Sequence, residues 1–315
     1  MNNLQVKKRS IHVGLSIARW CLLISIAYII LYPIFYMLFK AITPVAQAGD
    51  PSVAWIPRDF AVENFVLAYE GLDYLKSLWN TLSVPVLGGM IEVLSCAVIA
   101  YGFARFRFKG KNLLFGLVIL TMIVPPQAII IPLYLNFAHL DVFGVLELLK
   151  NISGVDIRPN LLDTGWTFWL PSLFGVGLRS GLFIFIYRQF FIGLPKELEE
   201  AASIDGAGPV GTLLHIVFPS SGTAFLCVTV FSVIAHWNDY YLSVMYFNVR
   251  FPLSVALDIL ANQSWVNIGD ITVSGDQLSN IAQAGSLMFF MPVLLFYLII
   301  QKYFIRSIDK VGIVG

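Results

Sequence analysis

The chain has 315 residues, of which 12% are charged and 58% hydrophobic, with a formal net charge of +1 and a mean hydropathy of +0.79. Ordinary soluble domains carry roughly 25% charged residues, so this composition cannot cover a water-exposed surface and points to the bilayer as solvent. A near-zero net charge excludes a general pull toward nucleic acid. Cys21, Cys96 and Cys227 fall singly in apolar runs, without CxxC spacing or a Cys/His cluster, and read as small helix residues.

Lys7, Lys8 and Arg9 precede the first apolar run, and Ala46-Gln47-Ala48 resembles a signal-peptidase site. The run from Trp20 to Phe39 is longer than a signal h-region of roughly 7–15 residues, so an uncleaved first helix is expected. Six spans are predicted in all, near residues 18–39, 78–104, 113–136, 167–191, 220–247 and 282–304. The fourth is interrupted by Pro171, Gly175, Gly177, Arg179 and Gly181, residues a span tolerates where neighbouring helices satisfy the backbone. Gly177 and Gly181 also form a small-residue pattern that suits close helix packing. The fold class expected is an all-α integral membrane protein, with residues 1–315 as a single transmembrane domain.

Positive charge sets the orientation. Lys7, Lys8, Arg9 and Arg19 precede span one. Arg105, Arg107, Lys109 and Lys111 separate spans two and three. Arg188 and Lys196 follow span four, and Lys302, Arg306 and Lys310 follow span six. With six spans all of these fall on one side, and both termini are expected to be cytoplasmic. The opposite loops, 40–77, 137–166 and 248–281, hold turn chemistry such as Asp50-Pro51, Gly269-Asp270 and Ser274-Gly275-Asp276. They could form a platform for an external partner or simply connect spans.

Residues 194–219 form a cytoplasmic knob in this topology. Pro195 suits a helix start, and Glu197, Glu199 and Glu200 favour the positive end of the helix dipole. Leu198, Ala201 and Ala202 recur at helical spacing as a small apolar face. Gly206 or Gly208 can stop the helix in the left-handed conformation, and Pro209 starts a second segment running into span five. The Ala pair would let such a helix enter a partner's groove; the same pattern fits a helix lying on the membrane interface.

The spacing Glu200-Ala201-Ala202, three residues, Gly206, nine residues, Ile216, one residue, Phe218-Pro219 resembles the EAA loop of ABC-importer permeases, with Phe218 where the family has Leu. Asn64-Phe65, Asn80-Thr81-Leu82, the run Ala100 to Arg105, Phe108-Lys109-Gly110-Lys111, Val124-Pro125, Ile131 to Tyr134, Arg188 to Phe191 and Trp237 to Tyr240 are similar to the carbohydrate branch of that family. So is the tail from Val311 to Gly315. The loop at 137–166 matches least.

The resemblance implies a type I importer permease fold with six transmembrane helices and a cytoplasmic coupling helix. It implies a second homologous permease subunit, two cytoplasmic ATPase subunits and an extracytoplasmic solute-binding protein, in a bacterial or archaeal cytoplasmic membrane. The cargo implied is a carbohydrate, and within that branch an oligosaccharide; glycerol phosphate, an amino acid or a polyamine is the alternative. Glu199, Glu200, Ala201, Ala202, Asp205, Gly206 and Pro219 would couple to the ATPase. No G-x-x-x-x-G-K-[ST] phosphate loop is present, so ATP and Mg belong on the partner subunits, and no cofactor or metal is expected on this chain.

Ionisable groups at bilayer depth default to functional candidates. At about 1.5 Å rise per residue, Glu92, Arg179, Gln127 and His236 come out at roughly 20, 18, 22 and 25 Å above the cytoplasmic boundary, in a hydrocarbon layer of about 30 Å. Glu92 and Arg179 could pair structurally, or they could line the translocation path. An uncompensated Arg in the path would favour a uronic-acid-containing substrate. Trp237, Asn238 and Asp239 suit sugar stacking and hydrogen bonding, and equally an interfacial aromatic belt. A rival of another class, an intramembrane enzyme using Glu92 or His236 as acid or base, lacks a paired nucleophile, a metal motif or a second nearby carboxylate.

Overall fold

The computed structural model describes residues 3–44, 47, 56–141, 144–269 and 271–312. Ala46, Ala48, Asp50-Pro51, Asp270 and the end of the tail from Ile313 lie outside them. The elements are α1 (Asn3–Ala41), α2 (Glu63–Gly71), α3 (Tyr74–Arg105), α4 (Lys111–Ile123), α5 (Pro126–Ala138), α6 (Val145–Ser153), α7 (Trp166–Leu173) and α8 (Ser180–Gly193). They continue with α9 (Glu197–Ile204), α10 (Pro209–Ser220), α11 (Gly222–Trp237), α12 (Tyr241–Tyr246), α13 (Leu253–Asn262), β1 (Trp265–Ile268), β2 (Ile271–Ser274) and α14 (Gly275–Gly312). The chain divides into two compact units, residues 1–72 with 259–290 and residues 73–258 with 291–315.

In the first unit the stretch Gly14–Ala41 of α1 is strongly apolar and mostly exposed, as expected of a span that faces lipid, and only its C-terminal end is covered, with Ala41 fully buried. Its C-terminal carbonyls have no intrahelical donors and are met by side chains. Asn64 Nδ2 donates to the carbonyls of Ala41 and Thr43 at 2.9 and 3.0 Å, and Asn280 Nδ2 donates to Thr43 O at 3.0 Å. The antiparallel pair β1–β2 turns at Gly269, whose φ of +57° an L side chain rarely adopts. Ile268 and Leu260 pack against Gly71.

In the second unit α3 is the central element. Its small residues Cys96, Ala97 and Ala100 let Phe183, Tyr187 and Phe191 of α8 approach closely, and Val228 of α11 and Val217 of α10 close the cluster. Lipid is as apolar as these side chains, so close packing rather than escape from solvent holds the unit together. A second cluster gathers Phe137, Phe168, Tyr246 and Phe247, the rings of Phe168 and Phe247 stacking 6.0 Å apart.

Three expected spans are single helices: 18–39 within Gly14–Ala41, 78–104 within α3 and 282–304 within α14. The others are broken. The third bends by 102° between α4 and α5, where Pro125 and Pro126 withdraw two N–H donors and push Val124 into an extended conformation. The fourth is two short helices, α7 and α8, joined through a turn at 174–179 with Gly175 at φ +66°. The fifth is reached through an 80° bend between α10 and α11, and α11 ends at Trp237. Among the described residues, therefore, three uninterrupted helices can cross a membrane, or up to five if each bent pair counts as one span. Proline also explains the wide π turns at Leu82–Val86 and Leu213–Val217. Pro85 and Pro219 each leave a carbonyl one turn back without its donor, and the helix widens there.

Candidate functional site

Two regions of the second unit hold the residues singled out by sequence. The first is α9. It starts after Pro195 and Lys196, with Glu197, Glu199 and Glu200 in its first turn. It stops as a Schellman motif: Ala207 N–H donates to Ala202 O at 2.9 Å, Gly206 N–H donates to Ser203 O at 3.1 Å, and Gly206 sits at φ +83°. Ala202 is the one buried residue of the helix. Leu198, Glu200, Ala201, Ile204, Asp205 and Gly206 are exposed, Ile204 by 86%. Leu198, Ala201 and Ile204 recur every three residues, so α9 presents an uncovered apolar stripe flanked by carboxylates.

Glu199 faces the other way. Its Oε1 accepts from Arg105 Nε at 2.5 Å, and Arg105 Nη2 donates to Leu194 O at 3.0 Å. Both side chains are mostly buried, at 10% and 19% exposure. One Arg thus ties the end of α3 to the acidic helix and to the turn before it. Sequence reading assigned Arg105 to the basic cluster and missed this contact. The partners are 94 residues apart, and only their opposite charges at the same membrane boundary hinted at it. Pro219, exposed near the end of α10, lies before the bend at Ser221.

The second region surrounds Glu92, which is fully buried on α3. Its Oε1 accepts from Ser180 Oγ and, at 3.3 Å, from the backbone N–H of Arg179. Its Oε2 lies 3.3 Å from His236 Nε2 but is not aligned for a hydrogen bond. His236 Nδ1 sits 2.9 Å from Ser232 O; a carbonyl only accepts, so Nδ1 carries the proton. Ser232 Oγ in turn donates to Gly89 O at 2.9 Å. Two glycines make room for these groups. A Cβ on Gly89 would come within 2.7 Å of His236 Nδ1, and one on Gly177 within 2.9 Å of Glu92 Oε1. Gly181 likewise lies tight against Thr121 and Met122 of α4.

The remaining candidates separate. Arg179 caps α8, and its side chain is exposed rather than paired with Glu92: the two meet through backbone only. Gln127 is exposed on α5. Trp237 is buried, and Asn238 folds its Nδ2 back onto Ile234 O at 2.8 Å. Asp239 is buried and caps α12, accepting from the N–H and Oγ of Ser243 at 2.9 and 3.0 Å. A cavity of about 930 Å³ opens among α4, α5, α7, α8 and α11, and of the seven path candidates only Arg179 and His236 line it. No group of His, Cys, Asp or Glu among the described residues could hold a metal ion.

Outside the spans, carboxylates fix the loops. Asp163, at φ +57°, accepts from the N–H groups of Asn248 and Val249 at 2.6 and 3.1 Å. Partial burial works to raise its pKa, but these donors outweigh it and hold the carboxyl below its ordinary range. Asp156 is held low by Arg158 and Lys150, which bond its oxygens at 2.8–2.9 Å.

Helices long and apolar enough to cross a membrane, an exposed acidic helix and a cavity between broken helices are features that suit a membrane transport subunit. The family described as "Binding-protein-dependent transport system inner membrane component" matches residues 93–310. The chain belongs to this family, which makes it a transport component of the inner membrane and not an enzyme. It is 25% identical over 307 residues to the arabinooligosaccharides transport system permease protein AraQ of Halalkalibacterium halodurans, covering 95% of this chain and 98% of that one. It is 26% identical over 291 residues to the polygalacturonan/rhamnogalacturonan transport system permease protein YtcP of Bacillus subtilis, covering 90% of this chain and 93% of the relative. A crystal structure of a bacterial ABC transporter involved in the import of the acidic polysaccharide alginate shares the fold. The TM-score is 0.69 at 21% identity, over 94% of this chain and 98% of that chain.

Proposed function

We propose that this chain is the permease subunit of an ATP-driven importer for an oligosaccharide, with residues 1–315 acting as one permease domain. The observation that carries the reading is α9. A short helix with Leu198, Ala201 and Ile204 uncovered, ended by Gly206 and tied to α3 through Arg105–Glu199, is built to be gripped from outside and to pass movement inward. Two ATPase subunits hold ATP and Mg and grip α9 from the cytoplasm, where both termini lie. A second, homologous permease subunit completes the pore, and a solute-binding protein delivers the cargo from outside. The sugar class rests on the named cargoes of the relatives.

Reconstitution tests it. The chain, purified with its partners in proteoliposomes, should take up an oligosaccharide only with ATP and binding protein present. An ATPase should co-purify with it and be lost when Glu200 is changed to Arg. Turnover of a substrate by the chain alone, in detergent and without ATP, would contradict the reading.

A further inference from the structure

The cavity holds an unmatched charge. Among the residues lining it, Arg179 is the single side chain with a fixed positive charge and Asp141 the single carboxylate. Asp141 is already committed: its Oδ1 and Oδ2 accept from the N–H groups of Leu146 and Glu147 at 2.9 and 2.8 Å, anchoring the start of α6. Glu92 lies behind the wall, and its Oε1 is taken by Ser180 and the Arg179 backbone. The guanidinium of Arg179 makes no hydrogen bond or ion pair among the described residues and is exposed beside walls of Phe, Leu and Pro. Two further polar groups on the lining are buried and unsatisfied, Ser172 Oγ and His236 Nε2. A volume of about 930 Å³ is at the upper end of ligand pockets, which span about 300–1,000 Å³, and suits several sugar rings.

We propose that this cavity is a subsite for a carboxylate-bearing oligosaccharide, with the Arg179 guanidinium binding one uronate carboxylate; the proposal rests on the oligosaccharide reading above. One guanidinium matches one carboxylate in a two-point fork and leaves no surplus charge against the apolar wall. A phosphate ester carries up to two charges and would leave part of its charge unmet, since the described residues of the lining include no second fixed cation. The backbone clamp from Glu92 to Arg179 N–H holds the base of the side chain still, so the fork is presented from a fixed point.

The test is equilibrium binding to the complete purified transporter in nanodiscs, without binding protein. The probes are trigalacturonate, its fully methyl-esterified form and glucose 6-phosphate. Trigalacturonate is expected to bind the wild type at least about tenfold more tightly than its ester, the factor that one charge-assisted pair readily supplies. Arg179→Gln should bring that ratio close to one. Arg179→Lys, which keeps charge and bulk but not the fork, should leave it reduced but above one, and it serves if the Gln variant fails to assemble. A ratio near one in the wild type, a ratio unchanged in either variant, binding of neither probe, or equal Arg179-dependent binding of glucose 6-phosphate each overturns the proposal. If neutral oligosaccharides are still taken up with ATP, only this assignment falls. If no sugar of any kind is taken up by an assembled, ATP-hydrolysing complex, the importer reading falls with it.

Discussion

The acidic helix α9 and the buried group around Glu92 handle charge in opposite ways. On α9 the carboxylates of Glu197 and Glu200 stay in water, one carboxylate, Glu199, turns inward to a single Arg, and the apolar residues are left uncovered. Around Glu92 every oxygen and nitrogen sits at the crossing of α3, α8 and α11, and glycines rather than solvent make the room. The first arrangement invites an outside partner. The second fixes helices against each other and leaves only Arg179 and His236 facing a cavity. In the proposed reading force and cargo meet the protein at two sites built on different principles, and α3 reaches both.

The largest effect is expected from breaking the end of α9. Gly206→Val forces a β-branched residue to φ +83°, a strain of about 1–3 kcal/mol, and should lower ATP-driven uptake at least about tenfold in proteoliposomes while sparing insertion into the membrane. Uptake at the wild-type rate would mean that α9 is not gripped in the shape seen.

Next comes the link between the two regions. Arg105→Ala removes the partner of the mostly buried Glu199 and a donor to Leu194 O, a loss of about 1–3 kcal/mol. It should uncouple the machine: basal ATP hydrolysis continues, and uptake per ATP falls. If both fall together in proportion, Arg105 stabilises the fold and does not transmit movement.

The distinction between the regions also governs how much was readable beforehand. Everything that makes α9 is local: the acidic first turn, Gly206 and the prolines lie within one short segment, and the Schellman stop follows from their order. The breaks in the third and fourth spans are also local, at Pro125-Pro126 and Gly175; the fourth was legible as an interrupted span, but a hydropathy window averages over the two prolines and returns a straight third span. The Glu92 group is different. Depth counting placed Glu92, Arg179 and His236 at similar heights, yet it could not tell a backbone contact from a guanidinium contact. It therefore offered a Glu92–Arg179 pair where Ser180 and a peptide N–H do the work. Asp239 and Asn238 were candidates for sugar contact because their types fit; in the fold they cap helix ends. Residues paired across 88 or 143 positions, such as Glu92 with Ser180 and Gly89 with Ser232, leave no trace in spacing.

A smaller effect should follow at the buried site. Gly89→Ala puts a methyl group 2.6 Å from Ser232 Oγ and 2.7 Å from His236 Nδ1, and such overpacking costs about 1–3 kcal/mol. Thermal unfolding of the purified complex should move down by a few degrees while α9 still binds its partner. An unchanged midpoint would show that the crossing is looser than the fold indicates.

The smallest lies in a loop that belongs to neither region. Asp163 has a depressed pKa, so its contribution is present above the ordinary carboxyl value of about 3.9 and is lost as the pH falls through its lower folded value. Protection of the Asn248 and Val249 amides from hydrogen exchange should hold at pH 5 and fade below about pH 4, and Asp163→Asn should weaken it at every pH. Protection that is insensitive to both would remove Asp163 as the anchor of that turn.

The central claim, that α9 is the part an ATPase grips, is tested most directly by site-directed cross-linking. Cysteines are introduced by Ala201→Cys or Ile204→Cys, and for control by Ser221→Cys, in a chain whose Cys21, Cys96 and Cys227 have been replaced. The account expects the two exposed α9 positions to cross-link to the ATPase subunit in the assembled transporter, with a yield that changes when ATP binds, and the buried Ser221 position to give none. Assembled, active complexes that show no adduct at residues 201 and 204 would contradict it.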